Sequence, residues 1–210
     1  EALLNNILPV AISARLKSVG GTIADHCDGA SILFADVVDF TPMSAHMTAT
    51  ELVELLNDVF SDFDALTEKY ELEKIKTIGD CYMVASGLPQ PRSDHAQVLT
   101  EMALEMQERV NSHNYNGQRL AFRMGINSGP VVAGVIGRQK FACVLWGDAV
   151  NTASRMEAHG SSGCIQITRA TYDLIKDAFL CEPQGTVTVK GKGEMDVWHV
   201  RGEQSLLTPI

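Results

Sequence analysis

The sequence lacks several features that would assign it to a particular class of protein. It has no run of about 18 apolar residues and no charged N-terminal segment followed by an apolar one, so it predicts neither a membrane span nor a signal peptide. None of its five cysteines forms a C-x-x-C pair, and no two of its six histidines form an H-x-x-x-H pair. We therefore expect neither a disulfide framework nor a zinc site, and reduced thiols are typical of a cytosolic domain.

Basic residues are also scarce. The chain has 17 Lys and Arg against 26 Asp and Glu, which gives a net charge of −9. A surface of this charge repels nucleic acid, so we expect no DNA or RNA partner. The hydrophobic share of 45% is ordinary for a globular protein, and 210 residues are enough for one domain with a sizeable core.

The chain shows no repeat, linker or low-complexity segment, and we predict a single domain over residues 29–203. Residues 1–28 are interpreted as a helical connector from an upstream region, because apolar residues recur on one helical face that Pro9 interrupts. A frayed terminus is the alternative, and residues 204–210 are interpreted as a tail. The first residue is Glu1 rather than Met, which favours a fragment of a longer protein with a sensor or membrane region upstream.

Periodicity and turn residues predict an α+β fold, in which helices cover a sheet. Thr48 and Glu51 have the spacing of a capping box at the start of a long helix, and residues 128–130 read as a turn between two strands. The predicted strands are 31–38, 73–78, 81–86, 119–127, 131–136, 141–146, 164–167, 186–189 and 197–200, and the predicted helices are 48–70, 94–111, 148–158 and 169–179.

Two aspartates, Asp36 and Asp80, lie at the edges of apolar runs that read as strands. A carboxylate at such a place costs folding energy unless a cation meets it. Hard oxygen ligands of this kind suit Mg²⁺ or Mn²⁺, which makes phosphate chemistry the leading hypothesis. The alternative is structural, with Asp36 as a helix cap and Asp80 as a turn residue. Asp39 is interpreted as the start of the turn after the first strand and not as a metal ligand.

Five segments carry a resemblance to a known family: FADVVDFT at 34–41, KTIGD at 76–80, RMGINSGPV at 123–131, WGDAVNTASRM at 146–156 and VKGKG at 189–193. In this order they resemble the catalytic domain of class III nucleotidyl cyclases, the adenylyl and guanylyl cyclases, over residues 30–200. The resemblance implies a ferredoxin-like antiparallel-rich sheet covered by helices and a head-to-tail dimer with its active sites between subunits. It also implies two metal ions and a nucleoside triphosphate that is cyclised with loss of pyrophosphate.

The resemblance implies that Asp36 and Asp80 bind the two metal ions, Mg²⁺ or Mn²⁺, with the main-chain carbonyl of Val37 as a further ligand. Two metals about 3.5–4 Å apart suit this chemistry, because they activate the attacking oxygen and neutralise the leaving group. Backbone N–H groups where a strand meets a helix can cradle phosphate oxygens. The resemblance favours that role for Phe40 and Thr41 over an ordinary connection.

Asn151 and Arg155 are four residues apart on a predicted helix and therefore share one face. The resemblance implies that this pair orients the ribose and stabilises charge on the α-phosphate during transfer, a task that suits the planar, permanently charged guanidinium. Arg123 and Lys190 match positions that contact the β- and γ-phosphates. Solvated surface side chains are the alternative for each of these residues taken singly.

Lys76 matches the position that reads the purine, and a lysine there is typical of adenylyl cyclases. The second purine-reading position, an aspartate in adenylyl cyclases, is Val144 here. Valine cannot accept a hydrogen bond from the adenine amino group, and an unmet polar edge costs about 1–3 kcal/mol, so we expect weakened adenine selectivity.

We therefore expect a cyclase that converts ATP to cyclic AMP as a homodimer through this domain, in the cytoplasm. The first alternative is a guanylyl or relaxed-specificity cyclase that uses GTP, as Val144 suggests. The second is a catalytically silent domain that binds nucleotide and signals through its dimer interface. A polymerase-like or diguanylate cyclase enzyme is a weaker alternative, against which the segment from Asn151 to Arg155 argues.

Overall fold

The computed structural model describes residues 23–136 and 142–204. Helices lie on both faces of one mixed sheet. The strands are β1 (Ile23–Val37), β2 (Glu73–Ile78), β3 (Cys81–Ser86), β4 (Phe122–Ile136), β5 (Ala142–Trp146), β6 (Ile165–Thr168), β7 (Phe179–Val189) and β8 (Gly193–Glu203). The helices are α1 (Phe40–Ser44), α2 (Ala49–Lys69), α3 (His95–Ser112), α4 (Asp148–Ala158) and α5 (Arg169–Ile175).

The sheet has the order β2-β3-β1-β4-β6-β8-β7, and β5 pairs with the C-terminal half of β4. Its first four strands have antiparallel neighbours and belong to a βαββαβ unit, so the predicted α+β, ferredoxin-like core is confirmed. The domain was predicted to begin at residue 29, whereas β1 already begins at Ile23. The predicted connector otherwise falls on residues 1–22, which lie outside the described residues, and so do residues 205–210 of the predicted tail.

Alternation along β1 divides the core into two layers. Leu33, Ala35 and Val37 face the larger cluster, which α2, α3 and α5 cover. Ile32 and Phe34 face the smaller cluster, to which α4 contributes. Asp36 follows in this second series, so its side chain emerges on the α4 side of the sheet.

The predicted capping box is present at the start of α2. The Glu51 amide donates to the Thr48 hydroxyl at 3.3 Å, and the Thr48 amide donates to the Glu51 carboxylate at 2.8 Å. Both bonds satisfy amides that a helix N-terminus leaves without partners, so the helix begins where the sequence predicts.

The predicted turn at residues 128–130 is wrong. β4 runs unbroken from Phe122 to Ile136 and pairs along its length with β1. Pro130 is tolerated because it lies opposite a bulge in β1, where the register shifts between Cys27 and Ala30. Proline has no backbone N–H to donate to the sheet, so it fits a strand at such an irregularity.

The last part of the chain has more strand than predicted. The helix predicted to reach Phe179 ends at Ile175, and β7 begins at Phe179. The sequence did not predict the first part of this strand because the run from Glu182 to Thr186 is polar and shows no apolar alternation. The run is polar because β7 is an edge strand whose residues are mostly exposed. Pro183 lies at a register shift of this edge, where a missing N–H costs little. Among the described helices, none is long and apolar enough to cross a membrane.

Candidate active site

Asp36 and Asp80 come together at one end of the sheet. Asp36 lies one residue before the end of β1 and pairs with Cys81, the first residue of β3. Asp80 precedes Cys81 in the tight turn between β2 and β3. Burial raises the pKa of the Asp80 carboxyl, and the negative charge of Asp36 raises this pKa further. The two carboxylates therefore repel each other in the folded chain.

The structure excludes the helix-capping alternative for Asp36 but leaves Asp80 in a turn. The N-cap of α1 is Asp39, whose φ is 54°, and its side chain makes no capping hydrogen bond. Asp36 therefore does not cap that helix, and Asp39 lies in the connection, as predicted. Asp80 does occupy a turn, but turn geometry alone does not require a carboxylate beside that of Asp36.

Arg123 is the cation that meets Asp36. The two residues are paired across β1 and β4, and the Arg123 Nη2 donates to the Asp36 Oδ2 at 2.9 Å. The Arg123 Nε donates to the Glu157 Oε1 at 3.2 Å. The guanidinium thus bridges a carboxylate at the end of β1 and one near the end of α4.

Glu157 was not identified from the sequence. Its side chain is only 11% exposed. Burial, with the charge of Asp36 as the next cause, raises the pKa of its carboxyl to about 7. Burial, with the charges of Asp36, Glu157 and Asp80 as further causes, raises the pKa of the Cys81 thiol to about 12. A helical acidic residue two positions after Arg155 gives no sequence signal of this contact.

The donor set fits a divalent cation. The Asp80 carboxyl, whose pKa the charge of Asp36 raises, and the Asp36 carboxyl are hard oxygen donors, and a cation between them would relieve their repulsion. In the described ranges no three His, Cys, Asp or Glu side chains converge as a metal site. Val37 directly follows Asp36 in β1 and has its side chain buried in the core, so only its main chain remains as a candidate donor. The described chain thus offers two side-chain carboxylates at this place.

The predicted phosphate-contacting residues Phe40 and Thr41 are the first two residues of α1, which starts three residues after β1 ends. The Thr41 side chain is exposed, whereas Phe40 packs partly against the larger core cluster. Because the N-cap Asp39 offers no side-chain bond, the first amides of this helix depend on other acceptors.

Asn151, Arg155 and Lys190 meet at a second place. They line a cavity of about 460 Å³ between α4 and the turn that joins β7 to β8. Asn151 and Arg155 are exposed and lie one turn apart, as their spacing predicts. Lys192 in the same turn is paired with Asp148. Asp36, Asp80 and Arg123 do not line this cavity, so the chain presents its site residues in two groups.

Lys76 and Val144 lie on β2 and β5, two strands that contact each other. Lys76 is exposed, and Val144 is half-buried opposite Gly134 of β4. A valine at this place offers a nucleotide base only apolar contact.

Comparison with known proteins gives one consistent result. Residues 23–202 match the family model described as the adenylate and guanylate cyclase catalytic domain. An adenylate cyclase of Mycobacterium tuberculosis is 44% identical over 211 residues, a match that covers 100% of this chain and 48% of that protein. The chain therefore spans about half the length of this curated relative.

Solved structures agree with the sequence matches. The guanylate cyclase domain of RhGC from Catenaria anguillulae in complex with GTP is 34% identical with a TM-score of 0.84, and the match covers 86% of this chain and 100% of that one. The catalytic core of a rhodopsin-guanylyl cyclase with converted specificity, in complex with ATPalphaS, is 36% identical with a TM-score of 0.83, and the match covers 85% and 98%. The chain belongs to the family of adenylate and guanylate cyclase catalytic domains.

Proposed function

We propose that this chain converts ATP to 3′,5′-cyclic AMP and pyrophosphate by in-line attack of the ribose 3′-oxygen on the α-phosphorus. The observation that carries the proposal is the meeting of Asp36 and Asp80 at one end of the sheet, where two carboxylates repel each other. Membership of the cyclase family supports the same reaction.

Asp36, Asp80 and the main-chain carbonyl of Val37 would hold two Mg²⁺ or Mn²⁺ ions. When bound, such ions activate the attacking oxygen and neutralise charge on the leaving pyrophosphate. The chain's own contribution is to place carboxylates at the ends of two neighbouring strands, whose pairing fixes their separation. Phe40 and Thr41 would present backbone N–H groups to the phosphates.

Asn151 and Arg155 would act on the reacting part of the nucleotide. Their shared face of α4 lines the cavity that Lys190 also lines. Arg155 would stabilise the charge that develops on the α-phosphate, and Asn151 would orient the ribose. Lys190 and Arg123 would bind the β- and γ-phosphates, where fixed cations oppose the highest negative charge.

We also propose that the domain works as a homodimer. The Asp36 group and the Asn151 group lie at separate places, so a site between two copies can take one group from each. Ile78 is 52% exposed next to the Asp80 turn, and Trp146 is 38% exposed next to α4. Apolar side chains exposed beside both groups favour a face that a second copy covers. An upstream sensor or membrane region would control this dimer from outside the domain, which would lie in the cytoplasm.

GTP is the second candidate substrate. Val144 favours it, because the residue cannot accept a hydrogen bond from the adenine amino group. Lys76 can donate to adenine N1 or to guanine O6 alike. The mycobacterial relative is named an adenylate cyclase and the two solved relatives are named guanylyl or guanylate cyclases, so both purines have support among similar proteins.

The test measures cyclic AMP and cyclic GMP formed from ATP and GTP in parallel, with Mn²⁺, over a range of protein concentrations. We expect cyclic AMP to dominate and specific activity to rise with concentration, since each site needs two copies. Asp36→Asn should abolish turnover and leave the fold. Asp39→Asn is the matched control, because Asp39 is exposed and asparagine tolerates its positive φ.

Each of the other outcomes would contradict one part of the proposed function. Dominant cyclic GMP would show that Lys76 does not select adenine. Nucleotide binding by a dimer that forms neither product would favour the silent signalling domain. Full activity of the Asp36→Asn variant would refute the assignment of the metal ligands.

A further inference from the structure

Glu157 is held in place by an unusually close contact between α4 and β4. A Cβ atom added at Gly125 would lie 2.0 Å from the Glu157 amide nitrogen and 2.6 Å from the Met156 carbonyl carbon. The absence of a side chain at Gly125 therefore lets the last turn of α4 rest directly on the strand. This contact fixes the backbone of Glu157 relative to β4.

The same contact places the Glu157 carboxylate beside Arg123. Arg123 and Gly125 are two residues apart on β4 and so face the same side of the sheet. Arg123 donates from Nε to Glu157 and from Nη2 to Asp36, through separate N–H groups of one guanidinium. The Glu157 side chain is 11% exposed and that of Asp36 is 21% exposed, so Glu157 is the more enclosed partner.

A metal ion at Asp36 would compete with Arg123 for the same carboxylate. If Asp36 were the sole partner of Arg123, the loss of Asp36 to the metal would leave the partly buried guanidinium unpaired, which is costly. Glu157 removes this cost, because its bond to Nε does not involve Asp36. The Nη2 group is then free to turn to another anion while the guanidinium stays anchored.

We propose that Glu157 is a positioning residue that anchors Arg123, so that Asp36 can bind metal and Arg123 can bind the triphosphate. The inference rests on the proposed function of this site. It assigns a role to a residue that is neither a proposed metal ligand nor one of the residues proposed to act in the transfer step. Glu157 itself touches neither metal nor nucleotide in this scheme. Its loss would let Arg123 stay on Asp36, which weakens nucleotide and metal binding more than the transfer step.

The experiment measures binding of 3′-deoxy-ATP, which lacks the attacking oxygen and so cannot be cyclised, in the presence of Mn²⁺. Glu157→Leu removes the acceptor at similar size, and Glu157→Gln keeps an acceptor oxygen for the Arg123 Nε. Glu182→Leu is the matched control, because it breaks an ion pair with Arg201 at 2.6 Å on the edge strand. All variants are compared by circular dichroism for fold.

We expect Glu157→Leu to weaken binding about tenfold and to raise KM by a similar factor with little change in kcat, which corresponds to about 1.4 kcal/mol. Glu157→Gln should stay within about threefold of the wild type, and Glu182→Leu should match the wild type. In an Arg123→Ala background, Glu157→Leu should cause no further loss, because Glu157 acts through Arg123. A general structural role would not disappear in that background.

Wild-type affinity of the Glu157→Leu variant would overturn the inference, and so would an undiminished tenfold effect without Arg123. If Leu at this position prevents folding, Glu157→Asp retracts the carboxylate by one methylene and is expected to weaken binding in the same direction. Unchanged binding by a folded Glu157→Asp variant would then overturn the inference. Failure of the wild type to bind or to form product would instead count against the proposed function.

Discussion

The contact between Gly125 and α4 allows a sharp test of how the site is built. Gly125→Ala adds a methyl group whose carbon would lie 2.0 Å from the Glu157 nitrogen, 2.6 Å from the Met156 carbonyl carbon and 2.7 Å from the Glu157 Cα. Ordinary contacts between non-bonded carbons are about 3.5–4.0 Å. The last turn of α4 must therefore move away by about 1–1.5 Å, since the obstacle is backbone and cannot rotate aside.

The movement has two consequences. Overpacking of a close contact costs about 1–3 kcal/mol, and we expect about 3 kcal/mol here, or a fall in Tm of about 6–12 °C. Arg155 lies in the same turn of α4, and a displacement of about 1 Å at a reacting group can lower the rate about 100-fold. Glu157 moves with the turn, so its bond to Arg123 should also weaken.

The matched control is Gly129→Ala, on the same strand and beneath the first turn of the same helix. Among the described residues its added Cβ would meet only the Ala149 Cβ, at 3.3 Å, which a shift of a few tenths of an ångström relieves. We expect it to cost less than about 1 kcal/mol. Urea unfolding followed by circular dichroism gives the free energies of unfolding, and cyclic nucleotide formation gives kcat. Equal stability and equal kcat for the two variants would refute the reasoning.

Three further predictions concern specificity and stability. Val144→Asp supplies an acceptor for the adenine amino group and should raise the ratio of kcat/KM for ATP to that for GTP about tenfold; a ratio that stays constant would contradict the purine assignment. Burial raises the pKa of the Glu73 carboxyl to about 7. This carboxyl therefore favours folding below pH 4.5, and that contribution to stability is lost as the pH rises through 7. Glu73→Gln should therefore stabilise the fold by about 1–2 kcal/mol at pH 8 and by much less at pH 5. Thermal melts at both pH values check this, and an equal shift at both would contradict it. Thr48→Ala removes the N-cap of α2 and should cost about 1 kcal/mol in urea unfolding, whereas Thr50→Ala, at an exposed site in the same turn, should change little.

Local rules account for the parts of the fold that the sequence predicted well. Strands β2 and β3 and helix α4 have the predicted bounds, because alternation, helical periodicity and turn residues act over a few neighbouring positions. The capping box of Thr48 and Glu51 is equally local. The unbroken β4 was missed because the residue that accommodates Pro130 is not its neighbour in sequence but a bulge in β1, about 100 residues earlier.

The candidate site divides in the same way. Sequence motifs named Asp36, Asp80, Asn151 and Arg155 as candidate site residues, and all four lie within the residues that match the family model. Whether each of them binds metal or nucleotide stays a prediction. The sequence also led to the expectation that Asp36 needs a cation, from the cost of an unpaired carboxylate at the end of a strand.

The tertiary structure identifies the cation that meets Asp36 and the residue that holds this cation in place. Arg123 reaches Asp36 because β1 and β4 pair in one register, and Glu157 reaches Arg123 because Gly125 lets α4 rest on the strand. Sequence by itself determined the residue types, most of the local elements and the family. Only the packed fold determined these pairings, because strand register and helix contact depend on surfaces formed by segments that are far apart in the chain.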